Sequence, residues 1–140
     1  MLGIIGLMSG TSADGIDASF IRSDGKQLEA TGQQFSFDYP VRLREAIYAA
    51  RKNAADYLAD PHRREALIRG ITDAHIDAVA ALRQKAGHPK IDFIGFHGQT
   101  VLHRPPVPGQ KGQTRQLGDG PLMTEITGRP VVFDLRRADI

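Results

Sequence analysis

The chain has 140 residues, 41% of them hydrophobic and 24% charged, with a formal net charge of +2 and no cysteine. That length and composition suit one globular domain with a real core. The charge is too small, and its positive residues too dispersed, for a nucleic-acid surface. The lack of cysteine excludes a disulfide framework and a thiolate metal site. No run approaches the roughly 20 apolar residues of a membrane span. The opening Met1–Met8 is apolar but short, and it lacks the basic flank of a signal peptide. A soluble, cytoplasmic protein is therefore expected, with neither nucleic acid nor membrane as partner.

In chain order, Leu2 to Met8 reads as a buried strand. Ser9 to Gly15 is a loop, with Asp14-Gly15 as a tight-turn signal. Ile16 to Ile21 alternates like a second strand, so the two should form a hairpin. A turn over Ser23–Lys26 precedes a third strand, Leu28 to Phe37. Pro40 suits a first helical turn, and Leu43, Ile47 and Ala50 follow at helical spacing. Pro61 breaks the pattern and opens a longer helix to about Lys85, with Leu67, Ile71, Ala74, Ala78 and Leu82 as one apolar stripe. Gly87 is a plausible stop, and the helical region reads as scaffold.

Ile91 to Phe96 reads as a strand that delivers the chain to His97-Gly98-Gln99-Thr100. Arg104 to Gln113, rich in Pro and Gly, is a loop. Thr114 to Leu117 is a short strand. Asp119 can cap a short helix, Leu122 to Thr127, and Val131 to Leu135 is a last strand. Strands, then helices, then strands imply an α/β layered domain, and the initial hairpin implies a mixed sheet.

The first loop carries the most chemistry. Gly10 to Gly15 matches the G-x-x-x-x-G half of a P-loop, but Ile16 and Asp17 stand where Lys and Ser or Thr should follow. The loop also lies between two strands, where a P-loop would open a helix. What remains is a hairpin loop whose glycines let backbone amides approach an anion, with Ser9, Thr11 and Ser12 as further donors. Asp14 and Asp17 sit beside them. A carboxylate repels phosphate unless a cation lies between, so the set points to phosphate with Mg²⁺. The competing reading is a plain β-turn in which Asp14-Gly15 serves geometry only.

Four blocks then point to a family. Gly6-Leu-Met-Ser-Gly-Thr-Ser-Ala-Asp-Gly-Ile-Asp17 resembles the opening signature of anhydro-N-acetylmuramic acid kinases. Phe96–Pro105, Gln116–Asp119 and Val131–Asp139 resemble further blocks of that family, in the right order. The resemblance implies the N-terminal lobe of an actin-like, ribonuclease-H-type ATPase with ATP bound between two lobes. It implies hydrolytic opening of 1,6-anhydro-N-acetylmuramic acid and phosphorylation of O6, in cell-wall recycling. By the match, Gly10, Thr11, Ser12, Ala13, Asp14, Gly15, Ile16 and Asp17 meet the phosphates of ATP, and Asp17 is the candidate Mg²⁺ ligand. His97, Gln99 and Thr100 lie near the cleft, and Arg136 or Arg137 reaches sugar or phosphate.

Ala13 stands where the family commonly has Leu, and Leu135 where Phe is usual. The family's chains are well over twice as long, with the general-base Asp, a second phosphate loop and the adenosine segment beyond Ile140. An incomplete lobe is thus expected, inactive alone, from an enzyme that can form a homodimer. The alternative is a non-catalytic sugar- or phosphate-binding module. Read without the resemblance, His97 and His103 have no evident third partner, and Arg136 and Arg137 end a strand either as anion ligands or as solvated charges.

Overall fold

The computed structural model describes residues 1–139. Strand β1 (Leu2–Ser9) buries Gly3, Ile5, Leu7 and Ser9 on one face, as its alternation requires. It pairs antiparallel with β2 (Gly15–Ser23), which buries Ile16, Ala18 and Phe20 on the same side. Strand β3 (Leu28–Asp38) extends the sheet antiparallel to β2. The expected hairpin and third strand are thus present.

Helix α1 (Val41–Lys52) follows Pro40. The break expected near Pro61 contains a short helix of its own, α2 (Ala54–Ala59), because Asn53 accepts the Asp56 amide as an N-cap. Asp60 then caps α3 (Pro61–Lys85), accepting the amides of His62 and Arg63, with Pro61 in the first turn. Leu67, Ile71, Ala78 and Leu82 are buried as the stripe predicts, but so are Thr72 and His75.

Strand β4 (Phe93–Arg104) departs from expectation at both ends. Ile91 and Asp92 precede it; Asp92 accepts the Gly3 amide at 2.8 Å and Lys90 Nζ lies 2.8 Å from it, which fastens the start of β4 to β1. The strand does not stop at Phe96. Gly98 takes φ +74°, a side chain there would press on the Leu117 carbonyl at 2.7 Å, and the register with β1 shifts between Leu7 and Ser9. The chain then resumes its extended course through Arg104, because β5 (Gln113–Leu117) offers an antiparallel partner from Gln99 onward.

Helix α4 (Gly120–Thr127) is capped by Asp119, whose carboxylate accepts the Leu122 amide at 2.9 Å. Strand β6 (Val131–Phe133) is shorter than expected: Asp134 turns to φ +61°, and a 3₁₀ turn over Leu135–Asp139 replaces the rest. The sheet runs β3-β2-β1-β4-β5, with β6 also on β4. Helices and sheet enclose one core that includes Ile5, Leu7, Ile47, Ile71, Leu82, Ile94, Phe96 and Met123.

Two features of this topology place a site. Strands β1 and β6 each run parallel to β4, so their carboxyl ends lie together beside its middle, at residues 96–99. On one side of β4, residues 94–96 pair with β6 and residues from Gln99 onward pair with β5. His97-Gly98 is the point of exchange. A crevice opens where a strand changes partners, and ligands of open α/β sheets gather at such crevices.

Candidate functional site

The loop between β1 and β2 is held from beneath. Gly15 lies so close to β3 that a side chain would overlap the Phe37 carbonyl. Ala13 is buried at φ 55°, and its amide donates to Gly10 O at 3.1 Å, closing a tight turn. A non-glycine residue there costs about 1 kcal/mol. Ala13 is therefore no exposed loop tip. It and Ile16 turn their side chains into the core, so only their backbone faces any ligand. Thr11, Ser12, Asp14 and Asp17 are exposed. Asp17 sits opposite Ser36, whose hydroxyl donates to it at 2.5 Å.

Under the start of the loop lies a buried polar cluster. Ser9 Oγ is 2.7 Å from Tyr39 Oη, 3.4 Å from His75 Nε2 and 3.5 Å from Gly98 O. His75 Nδ1 lies 2.7 Å from Ile71 O. A carbonyl only accepts, so we assign the proton to Nδ1 and the accepting lone pair to Nε2. The chain of donors then runs from Tyr39 to Ser9 to His75 to Ile71. Burial pushes the His75 imidazole down to about 4 and the Tyr39 phenol up, so both stay neutral and protonated as drawn. The His75 ring meets Phe96 edge-on at 4.9 Å. Tyr39 also holds the far end of the loop, its amide donating to Asp14 O at 3.0 Å.

Gln99 is fully buried beneath the same loop. Its Nε2 donates to Gly10 O at 3.3 Å and Thr100 O at 3.1 Å, and its Oε1 has no hydrogen-bond partner among the described residues. Thr100 Oγ1 accepts from Gln116 Nε2 at 3.0 Å. These two residues brace the site; neither lines its cleft.

The crevice at the exchange point is a cleft of about 210 Å³ lined by His97, Gly98, Gln116, Gly118, Asp134 and Arg137 among others. Arg137 Nε pairs with Asp134 at 3.0 Å, so the cleft carries a cation beside a carboxylate. His97 Nδ1 donates to Gly98 O at 3.0 Å, which turns Nε2 away from that carbonyl. Arg136 takes another direction, with Nη2 3.4 Å from His103 Nε2. Of the two arginines, Arg137 is the one at the cleft. Both belong to the 3₁₀ turn, beyond the strand end where the sequence placed them.

A family model for anhydro-N-acetylmuramic acid kinase matches residues 3–140. The chain belongs to the anhydro-N-acetylmuramic acid kinase family. It is 39% identical to the anhydro-N-acetylmuramic acid kinase of Gluconobacter oxydans over 140 residues, covering 100% of this chain and 38% of that protein. It is 42% identical over 151 residues to the one from Bradyrhizobium diazoefficiens, again covering 100% of this chain and 38% of the relative. Anhydro-N-acetylmuramic acid kinase 2 of Jannaschia sp. is 42% identical over 143 residues, which is 97% of this chain and 38% of that one. The chain thus spans just over a third of the length of these curated relatives.

The four blocks that resemble the anhydro-N-acetylmuramic acid kinase pattern converge in space. They form the β1–β2 hairpin, the second half of β4, the β5–α4 junction, and β6 with its turn. All four meet around Gly98: Ser9 and Leu117 approach it, Gly118 packs on Phe96, and Gly120 packs on Phe133.

Sequence reasoning missed Tyr39, His75, Tyr48, Arg51, Gln116 and Asp134. One signal was present: His75 lies four residues after Ile71, on the apolar stripe of α3, where a polar residue needs a buried partner. Tyr48 and Arg51, on the exposed side of α1, carried no such signal. Among the described residues no helix is long and apolar enough to cross a membrane. Among them, no three His, Asp or Glu side chains gather as a metal site.

Proposed function

We propose that this chain forms the phosphate-binding lobe of an ATP-dependent kinase that opens 1,6-anhydro-N-acetylmuramic acid with water and phosphorylates its O6, in the cytoplasmic recycling of cell wall. The sheet order and crevice support its reading as one lobe of an actin-like ATPase. One observation carries the reading: the Gly10–Asp17 loop and the His97–Arg137 cleft open together where β1 and β6 end beside the middle of β4. Phosphoryl transfer needs donor and acceptor side by side, and that juxtaposition provides it.

The parts then take distinct roles. Exposed Thr11 and Ser12 present hydroxyls and amides to the terminal phosphates of ATP. Asp17 fits a magnesium ion, which takes one or two carboxylates together with phosphate oxygens and water; Ser36 holds this carboxylate in place. A bound Mg²⁺ supplies charge neutralisation between that carboxylate and the phosphates. Arg137 and His97 face the acceptor side, where a guanidinium binds anionic oxygens and an imidazole binds a hydroxyl. The general base that activates water comes from outside this segment. The chain by itself is expected to give no turnover.

The test is an exchange of parts. This chain replaces the matched segment of the Gluconobacter oxydans relative, and ATP-dependent conversion of the anhydro-sugar to its 6-phosphate is followed. Activity is expected, and Asp17→Ala should lower it by about 100-fold. An active chimaera with unchanged Asp17→Ala kinetics would refute the loop assignment.

A further inference from the structure

Four carbonyls of the β1–β2 loop, those of Gly10, Thr11, Ser12 and Asp14, accept hydrogen bonds. Gly10 O accepts from Gln99 Nε2 and the Ala13 amide, Ser12 O from Tyr48 Oη at 2.7 Å, and Asp14 O from the Tyr39 amide. Thr11 O accepts from Arg51 Nη1. Tyr48 and Arg51 are one turn apart on α1 and both exposed.

A peptide unit is planar and trans, so its C=O and N–H point in opposite directions. Capturing Gly10 O therefore aims the Thr11 amide away from the protein, and capturing Thr11 O does the same for Ser12. Among the described residues neither amide has a hydrogen-bond partner. Two successive outward amides form an anion-binding concavity. Holding Ser12 O fixes the next plane, whose amide closes the turn onto Gly10.

We propose that Tyr48 and Arg51 are positioning residues for this loop: Arg51 draws the Thr11 carbonyl toward α1 and so turns the Ser12 amide toward a bound polyphosphate, while Tyr48 holds the next peptide plane and with it the turn that keeps the Thr11 amide facing outward. The proposal rests on the reading of the loop as the phosphate site. It adds a reason for the shape of α1, whose sequence otherwise reads as scaffold. Neither side chain needs to touch the ligand.

The test uses the chain itself, with Mg²⁺ and inorganic tripolyphosphate as probe and the amide resonances of Thr11 and Ser12 as readout. Tyr48→Phe should weaken binding about fivefold, the loss of one hydrogen bond, and Arg51→Met by at least that factor. Arg51→Lys keeps a donor and should restore most of it. Because both sites are exposed, Tm should move by no more than about 2 °C. A fall with Arg51→Met but not with Tyr48→Phe would mean that the guanidinium acts on the anion as a charge, and would overturn the proposal. Asp17→Ala separates the two readings. If it weakens binding while neither α1 variant does, positioning fails and the phosphate loop stands. If the chain shows no saturable shift with the probe, both fall.

Discussion

At the middle of β4 the groups packed between sheet and helices are polar: Ser9, Tyr39, His75 and Gln99 lie buried around Gly98. At its amino end Ile91 and Ile94 face Ile76, Val79 and Ile126 across an apolar cleft of about 210 Å³. Both regions rest on the same strand and the same helix, α3. The apolar end makes stability, because burying its side chains is favourable in itself. The polar region gains little net energy, since each bond formed there replaces one with water. What it gains is direction: Tyr39 and Gln99 between them touch the start and the end of the loop. The polar cluster is a device for loop geometry laid over a core that is secured elsewhere.

The contrast can be tested by breaking each region in turn. Ile94→Ala at the apolar end should cost about 2–5 kcal/mol in denaturant unfolding, with a similar loss at every pH. That loss should exceed the loss from any single polar change in the other region.

Protonation should break the polar region next. The folded His75 titrates near 4, below the ordinary 6.5, with desolvation as the first cause and His97 as a lesser one. Between those values the unfolded chain holds the proton and the folded chain does not. Stability is therefore complete above about pH 6.5 and falls toward pH 4, by on the order of 3 kcal/mol from this group. His75→Gln should lose the wild-type slope across that window. A variant with the same slope as wild type would show that another group carries it.

The mildest change sharpens the contrast most. Tyr39→Phe removes one hydroxyl and leaves Ser9 its His75 and Gly98 neighbours. We expect about 1–2 kcal/mol of lost stability. Amide exchange should quicken in residues 9–14 while the Ile91–Ile94 end stays protected. Uniform quickening along β4 would mean that the two regions are one cooperative unit.

Much of this molecule was legible in its sequence. The β1–β2 hairpin followed from alternating apolar residues around Asp14-Gly15, and α3 from its stripe and the Pro61 start. The loop that carries the phosphate reading was legible as well, since glycines, hydroxyls and carboxylates stand together in the chain. Local geometry decides these features, and local sequence encodes local geometry.

The continuation of β4 past Phe96 was not legible, because a strand lasts as long as partners satisfy its backbone, and its partner β5 arrives later in the chain. The choice of Arg137 over Arg136 for the cleft was settled by the 3₁₀ turn. So too the roles of Tyr39, His75, Tyr48, Arg51 and Gln99 depend on contacts across 30 to 89 residues of chain. The sequence by itself determined most of the elements, the family and the composition of the loop. Only the tertiary structure decided which side chains hold that loop in shape, since hydrogen bonds between distant residues exist only once packing has brought them within reach.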